Sequence, residues 1–383
     1  MNFKAFLALA LATLIAVVAV FVVLTIQTTG PAAREPGSLM LPELAANTAN
    51  VTRVISTRGG DKTTVKRISG SGEDAKWVVE EFFDYPSHPL LLRDVIGGVA
   101  HLQSHEAKTR RPNLYSKLDV DDPITATVKS TRLEMFGPGD KKLADIIIGK
   151  TKSAMPGTES LYVRRPDEDR AWLAKGKAEA PYNRIGWVDN QVLVIDLPRL
   201  RTATLNAPAK GPRVHVFKKS TDERDFTIEG MPADFEVKDI FGAEDVARVI
   251  QQLSFEDVRP ADKLAIDTTA KPWAEFVAFD GLKIDLWLRE AEGKNWVAVR
   301  ALAAPGHDLA AAPAATPETT PEAQEVATDT PDSGEKPRDI AAEIKTINDK
   351  VTPWIYAIPT YENGNLRKTL DDLIQKKPEA KTN

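Results

Sequence analysis

The 383-residue chain has no cysteine and only five histidines. Without cysteine there is no disulfide framework, no thiolate metal site and no cysteine for lipid attachment. A basic excess is missing too: 50 Lys and Arg against 55 Asp and Glu leave a net charge of −5. That balance excludes a surface built to release counterions from nucleic-acid phosphate. The sequence also lacks a GxSxG elbow, a Walker loop and a GxGxxG opening a helix after a strand.

One long apolar run is present. Phe6 to Ile26 carries no charge over 21 residues, about 31 Å as a helix, which matches a hydrocarbon core of roughly 30 Å. Its exit reads QTTGPAAREPG, with Pro31 three residues before a cut after Ala33, a poor cleavage site. The run therefore predicts an uncleaved anchor over residues 1–27. Lys4 precedes the run and Arg34 follows it beside Glu35, which points the N-terminus into the cytoplasm and the remainder outward.

Residues 28–50 are rich in Pro, Ala, Gly and Thr and read as a stalk. Alternation at Val51–Thr57, Thr63–Ser69 and Lys76–Phe82, separated by glycine turns, predicts three antiparallel strands. A helix with Leu92, Val95, Ile96, Val99 and Leu102 on one face follows, weakened by Gly97 and Gly98. Strands are expected next at Thr125–Phe136, Leu143–Gly149, Leu161–Arg165 and Ala171–Ala174. The order then recurs about 150 residues later, as internal duplication requires. Arg213–Lys219 and Arg224–Gly230 stand where the early strands stood, Phe226 answers Trp77, and a helix over Ala243–Leu253 sets Asp245, Val246, Ile250 and Leu253 opposite Asp94, Val95, Val99 and Leu102. Ala274–Arg289 reads as an Asp-Gly hairpin.

The fold class expected is α+β: two repeated antiparallel-sheet-plus-helix modules, 51–205 and 206–302, after one N-terminal transmembrane helix. Residues 303–337 are Pro, Ala, Thr and acidic, a composition that buries too little apolar area to offset its ordering entropy, so this linker is expected to be disordered. Residues 338–383 carry one stripe at Ile340, Ile344, Ile347 and Val351, an apolar stretch at Trp354–Tyr361, and a second stripe at Leu366, Leu370, Leu373 and Ile374. They are expected to be helices packing on the second module.

Chemistry-bearing patterns are sparse. His101 and His105 share an i,i+4 spacing, but HLQSH has no glutamate where a zinc protease needs one. Asp119, Asp121 and Asp122 lack the glycine and distal glutamate of a calcium loop. Asp167, Glu168, Asp169 and Asp189 fall in turns, where solvated carboxylates make poor general acids. Trp77, Trp172, Trp287 and Trp296 lie on strands at core positions, with a sugar or peptide groove as the alternative. Arg110, Arg111, Arg164 and Arg165 form basic clusters able to meet acidic headgroups or a partner's carboxylates, against the plainer reading of solvated strand edges. No catalytic residue, metal or cofactor is assigned.

The segments NLYSKLDVDDP (Asn113–Pro123), LADIIIGK (Leu143–Lys150) and ESLYVRRPDEDRAWLAKG (Glu159–Gly176) resemble the Domain of unknown function 4340 family. The resemblance covers Val51 to about Leu302 and extends into the WIYAIPTYENGNLRKTLDDLI tail. It departs at Asp119, where the family pattern expects glycine, and in the acidic linker. It implies an N-terminal membrane helix, β-rich modules, and an accessory place beside gliding-type ABC transporter subunits on the outer side of a bacterial inner membrane. It transfers no catalytic residue. Anchor, modules and missing chemistry together predict a non-enzymatic, single-pass periplasmic protein, an accessory or scaffold of an ABC-type transport system. Its expected partners are the membrane, transporter subunits or envelope polymer, and not nucleic acid. A periplasmic glycan- or peptide-binding module is the alternative, and a hydrolase the third reading.

Overall fold

The computed structural model describes residues 35–71, 74–152, 159–206, 212–239, 241–306 and 338–378. The expected anchor and most of the acidic linker lie outside these residues. Among the described residues, no helix is long and apolar enough to cross a membrane. The chain divides into two compact units. The first holds residues up to Glu80 together with Pro86–Trp187, and the second holds Glu81–Tyr85 together with Val188 onward.

The first unit opens with α1 (Pro42–Ala45), and its Met40 and Leu44 are fully buried. The segment expected to be a stalk is therefore folded from about Leu39, which bridges to Gln103, because those apolar side chains have a core to enter. The first sheet comprises β1 (Arg53–Arg58), β2 (Asp61–Ser69), β3 (Lys76–Val79), β4 (Tyr85–Pro86), β5 (Gln103–Ala107), β6 (Thr131–Phe136), β7 (Lys142–Lys152), β8 (Ser160–Arg164) and β9 (Ala171–Lys175). Its order is β4-β3-β2-β1-β6-β7-β8-β9-β5. The β1–β2 turn is Gly59-Gly60, with φ of 58° and 87°, the doubly positive backbone that suits the right-handed twist of a hairpin. The strand expected from Thr125 starts only at Thr131.

Helix α2 (Pro89–Ala100) has Pro89 in its first turn and His88 as its cap, the Leu91 N–H donating to His88 Nδ1 at 3.4 Å. The predicted stripe Leu92, Val95, Ile96 and Val99 is buried. Its two adjacent glycines differ. A Cβ on Gly97 would meet nothing within 4 Å, whereas one on Gly98 would run into the Lys177 carbonyl oxygen. Gly97→Ala is therefore expected to stabilise the chain by up to about 1 kcal/mol through helix propensity, and Gly98→Ala to destabilise it by roughly 1 to 3 kcal/mol through overpacking. Urea unfolding of the two variants checks the opposite signs.

The second unit contains β10 (Gln191–Leu193), β11 (Leu200–Leu205), β12 (Val214–Phe217), β13 (Thr227–Ile228), β14 (Phe235–Val237), helix α3 (Gly242–Arg248), β15 (Leu253–Ser254), β16 (Asp257–Pro260), β17 (Ala274–Ala278), β18 (Leu282–Ala291) and β19 (Lys294–Ala303). After the linker come α4 (Ile340–Val351), β20 (Trp354–Ile358), α5 (Thr360–Leu366), α6 (Leu370–Leu373) and β21 (Ile374–Lys376). Eight strands form the second sheet in the order β13-β12-β11-β17-β18-β19-β20-β16, while β10–β15 and β14–β21 form separate pairs.

Several sequence expectations are corrected here. Leu200–Leu205, placed with the first module, pairs with β12 and β17 and belongs to the second sheet. The helix expected to reach Leu253 ends at Arg248. Trp354–Ile358, read as an apolar stretch in a region expected to be helical, is a strand between β19 and β16. The last stripe divides into α5, α6 and β21, the strand pairing with β14. Helix α4 runs over its predicted stripe from Ile340 to Val351, Asp339 Oδ1 accepting from the Ala342 N–H at 3.0 Å as its cap.

Numbered from its own first strand, and leaving out the two-residue β4, each sheet reads 3-2-1-5-6-7-8-4, with a helix between its third and fourth strands. Side chains agree at one position. In the first unit the Arg67 N–H donates to Thr52 O at 2.8 Å, its Nη1 to Ala49 O at 3.0 Å, and its guanidinium lies 5.9 Å from the Trp77 ring centre. In the second unit the Lys218 N–H donates to Arg201 O at 2.8 Å, its Nζ to Leu197 O at 3.4 Å, and that ammonium lies 4.6 Å from the Phe226 ring centre.

Candidate ligand-binding site

A polar cavity of the second unit, about 340 Å³, lies against the short β10–β15 pair and α5. Its lining includes Asn190, Gln191, Gln251, Gln252 and Asn365, whose carboxamides each offer donors and an acceptor. Tyr361 lines it with a side chain left 66% exposed. Arg248 lines it as well, its guanidinium donating to Glu244 at 2.8 Å and to Gln251 at 3.5 Å.

Glu362 gives the cavity its chemistry. It sits on the inward side of α5 and is only 3% exposed, a burial that glutamate rarely accepts. Its Oε1 accepts three hydrogen bonds: from Ser254 N–H at 3.2 Å, Ser254 Oγ at 2.9 Å and Tyr361 Oη at 2.9 Å. Its Oε2 is buried and has no partner. Burial pushes the Glu362 carboxyl above its ordinary value, against the lowering effect of the Ser254 and Tyr361 donors. Since Oε1 already accepts three donors, a retained proton belongs on Oε2, where the acid is a hydrogen-bond donor with no partner inside the protein.

The predicted site residues fall elsewhere. Arg164 is buried, its Nε donating to Val120 O at 3.0 Å, its Nη2 to Asp122 at 2.9 Å, and its guanidinium lying 4.8 Å from the Tyr115 ring centre. It ties a loop to a strand and is not presented to a partner, because these groups leave its guanidinium within the fold. Arg165 pairs with Asp167 at 2.5 Å and Glu168 at 3.4 Å, Arg110 lies 3.6 Å from Asp169, and Arg111 is exposed. His101 closes α2, its Nδ1 2.7 Å from Gly97 O, while His105 lies on a strand, so the pair does not share a helical face. Among the described residues no three His, Asp or Glu side chains gather as a metal site. The four strand tryptophans Trp77, Trp172, Trp287 and Trp296 are buried.

Sequence reading missed Glu362, Ser254 and the carboxamides. The one available signal was the spacing of Glu362 four residues before Leu366 in TYENGNL, which sets both on one face of the short helix α5. A family model described as "Domain of unknown function (DUF4340)" matches residues 77–272. No curated protein matches the chain, and no solved structure matches it.

Proposed function

This chain belongs to the DUF4340 family, and from that premise we propose that it is a membrane-anchored, non-enzymatic binding protein whose second unit takes a neutral glycan. The observation that carries the reading is the cavity around Glu362, which combines a buried unpartnered acid, five carboxamides and an exposed tyrosine ring. Hydroxyl groups both donate and accept, as carboxamides do, and an exposed aromatic ring supplies a face for a sugar's apolar side. A hydrolase with Ser254 as its nucleophile is disfavoured because the acid beside it is pushed toward its protonated form, which takes no proton from a hydroxyl. Phe6–Ile26 serves as the anchor and the units lie outside it. Under this reading, an accessory place beside an ABC-type transporter makes the cavity a receptor for material that such a complex handles. Protease digestion of the units in vesicles displaying the outer face supports the topology, and protection overturns it.

The two sheets are further read as two copies of one module. Their common strand order and the matched Arg67–Trp77 and Lys218–Phe226 pairs support this. An experimental structure in which Arg67 and Lys218 fail to superpose overturns it.

Glu362 makes the binding reading testable. Its folded value is raised, so its favourable contribution to stability is full below the ordinary value of 4.5 and is lost as pH rises through the folded value. Affinity for N,N′-diacetylchitobiose, measured by calorimetry on the full chain in nanodiscs, is expected to fall over the same window as the Oε2 proton is lost. Glu362→Gln, which keeps a donor at that position, is expected to bind at all pH values with a flat profile. Absence of chitobiose and cellobiose binding at pH 5 sinks the glycan reading.

A further inference from the structure

The first unit has a cavity of a different character. About 300 Å³ in volume, it is floored by Val51, Trp77 and Ile96 and bordered by Arg67, Arg93 and His101, with no carboxylate in its lining. Arg67 is half-buried, donates one bond to Ala49 O, and pairs with no carboxylate among the described residues. His101 has its Nδ1–H against Gly97 O, so in the neutral ring Nε2 is an acceptor and offers a carboxylate nothing. Arg93 lies 3.4 Å from Asp94 on the same helix.

The second unit holds a guanidinium–carboxylate pair of its own beside a cavity. There the turn before the first sheet strand, Leu197–Arg199, also lines a cavity, but its Arg199 guanidinium is held by Asp280 at 2.5 Å and by both oxygens of Glu343 at 2.7 and 2.6 Å. Glu343 belongs to α4, on the segment inserted between β19 and β20. No such insertion separates β8 from β9, where only six residues, 165–170, intervene. Lys218, at the place of Arg67, is 4% exposed. The same cation-on-aromatic arrangement is thus sealed in one unit and half-open beside a cavity in the other.

We infer that the first-unit cavity binds a small carboxylate with an apolar body, the body against Trp77 and Ile96 and the carboxylate on Arg67. A guanidinium is the group best shaped to take a carboxylate's two oxygens, and the Arg199–Glu343 pair shows that pairing elsewhere in this chain. The apolar floor and the missing acid make an uncharged or cationic ligand the poorer fit. This inference concerns the first unit and does not rest on the glycan reading, so either can fail alone.

The test uses the full chain in phosphatidylcholine nanodiscs and three probes of one shape: 4-phenylbutanoate, 4-phenylbutan-1-ol and 4-phenylbutylammonium. Calorimetry is expected to rank the carboxylate about tenfold or more above the alcohol, as a charge-assisted hydrogen bond implies, with no binding of the ammonium. Arg67→Gln is expected to bring the carboxylate down to the alcohol's affinity. Gly97→Leu places a side chain where a Cβ meets nothing within 4 Å, and is expected to fill the cavity and abolish binding of both while the melting temperature holds. Should that variant unfold, Arg67→Gln decides alone. Equal affinity for carboxylate and alcohol in the parent, or unchanged carboxylate binding in folded Gly97→Leu, overturns the proposal.

Discussion

Replacing Gly149 with alanine is expected to lower the stability of the first unit by about 3 kcal/mol or more, the upper range of overpacking in a rigid core. Gly149 lies in β7 where the strand passes under the loop that follows Tyr115. A Cβ there would stand 2.6 Å from Asp119 O and 2.8 Å from Val120 Cγ1, and closer still to Leu118 O. Two of those atoms are backbone, so no rotamer change relieves the contact. The loop cannot withdraw cheaply either. The Lys150 N–H donates to Leu118 O at 3.0 Å, and Val120 is fully buried in a cluster with Tyr115, Ile147 and Ala171. Gly364→Ala, whose added Cβ in α5 meets nothing within 4 Å, is the control and is expected to leave stability unchanged or raise it by up to about 1 kcal/mol. Chemical unfolding of both variants decides the matter, and a cost below about 1 kcal/mol for Gly149→Ala would mean that the loop is free to move.

That contact also explains why three separated sequence segments carry the family resemblance. Tyr115, Val120 and Asp122 come from the first segment, Ile147 and Gly149 from the second, and Arg164, Asp169 and Ala171 from the third. The Tyr115 hydroxyl donates to Asp169 O, Arg164 ties Val120 O to Asp122, and Gly149 lets the loop approach. These residues build one junction of chain segments, so their spacing in the sequence marks a contact of the fold. Asp119, where the family pattern expects glycine, has φ of 53°, a backbone that glycine adopts freely and aspartate tolerates.

Local pattern made the strands and α2 legible, since alternation and a 3.6-residue stripe are properties of a single segment. Sheet membership is not such a property. Leu200–Leu205 reads as a strand wherever it is placed, and only its pairing with β12 and β17 assigns it to the second unit. WIYAI has no period, so its strand character came from the gap between β19 and β16 that it fills. The cavity around Glu362 was hidden for a further reason. It joins residues 190–191, 248–254 and 361–365, three segments with no motif spacing, and its central acid violates the expectation that glutamate stays exposed. The first-unit cavity is only partly visible in the sequence, where Trp77 reads as a core residue and Gly97 as a weak point of the helix.

Phe255→Ala is expected to cost the second unit about 3 to 5 kcal/mol, as large aromatic truncations do in packed cores. Phe255 is 1% exposed, and its ring packs on Tyr85 at 5.2 Å and Tyr356 at 5.3 Å, with Tyr85 in turn 4.9 Å from Trp354. Burial raises the Tyr85 hydroxyl to about 12 and pushes Tyr356 up as well, so the cluster stays uncharged at neutral pH and offers no solvated group to soften the loss. The substitution also reaches the candidate site. Phe255 follows Ser254, whose N–H and Oγ hold Glu362, and Phe255 N–H donates to Asn190 O at 3.0 Å, which fixes a second lining residue. A folded Phe255→Ala at low temperature is therefore expected to lose the pH dependence assigned to Glu362 together with stability, whereas Glu362→Gln loses the pH dependence alone. If Phe255→Ala costs less than about 2 kcal/mol, or leaves the Glu362 profile intact, the aromatic core does not position the acid, and the hydrogen bonds of Ser254 suffice to hold it.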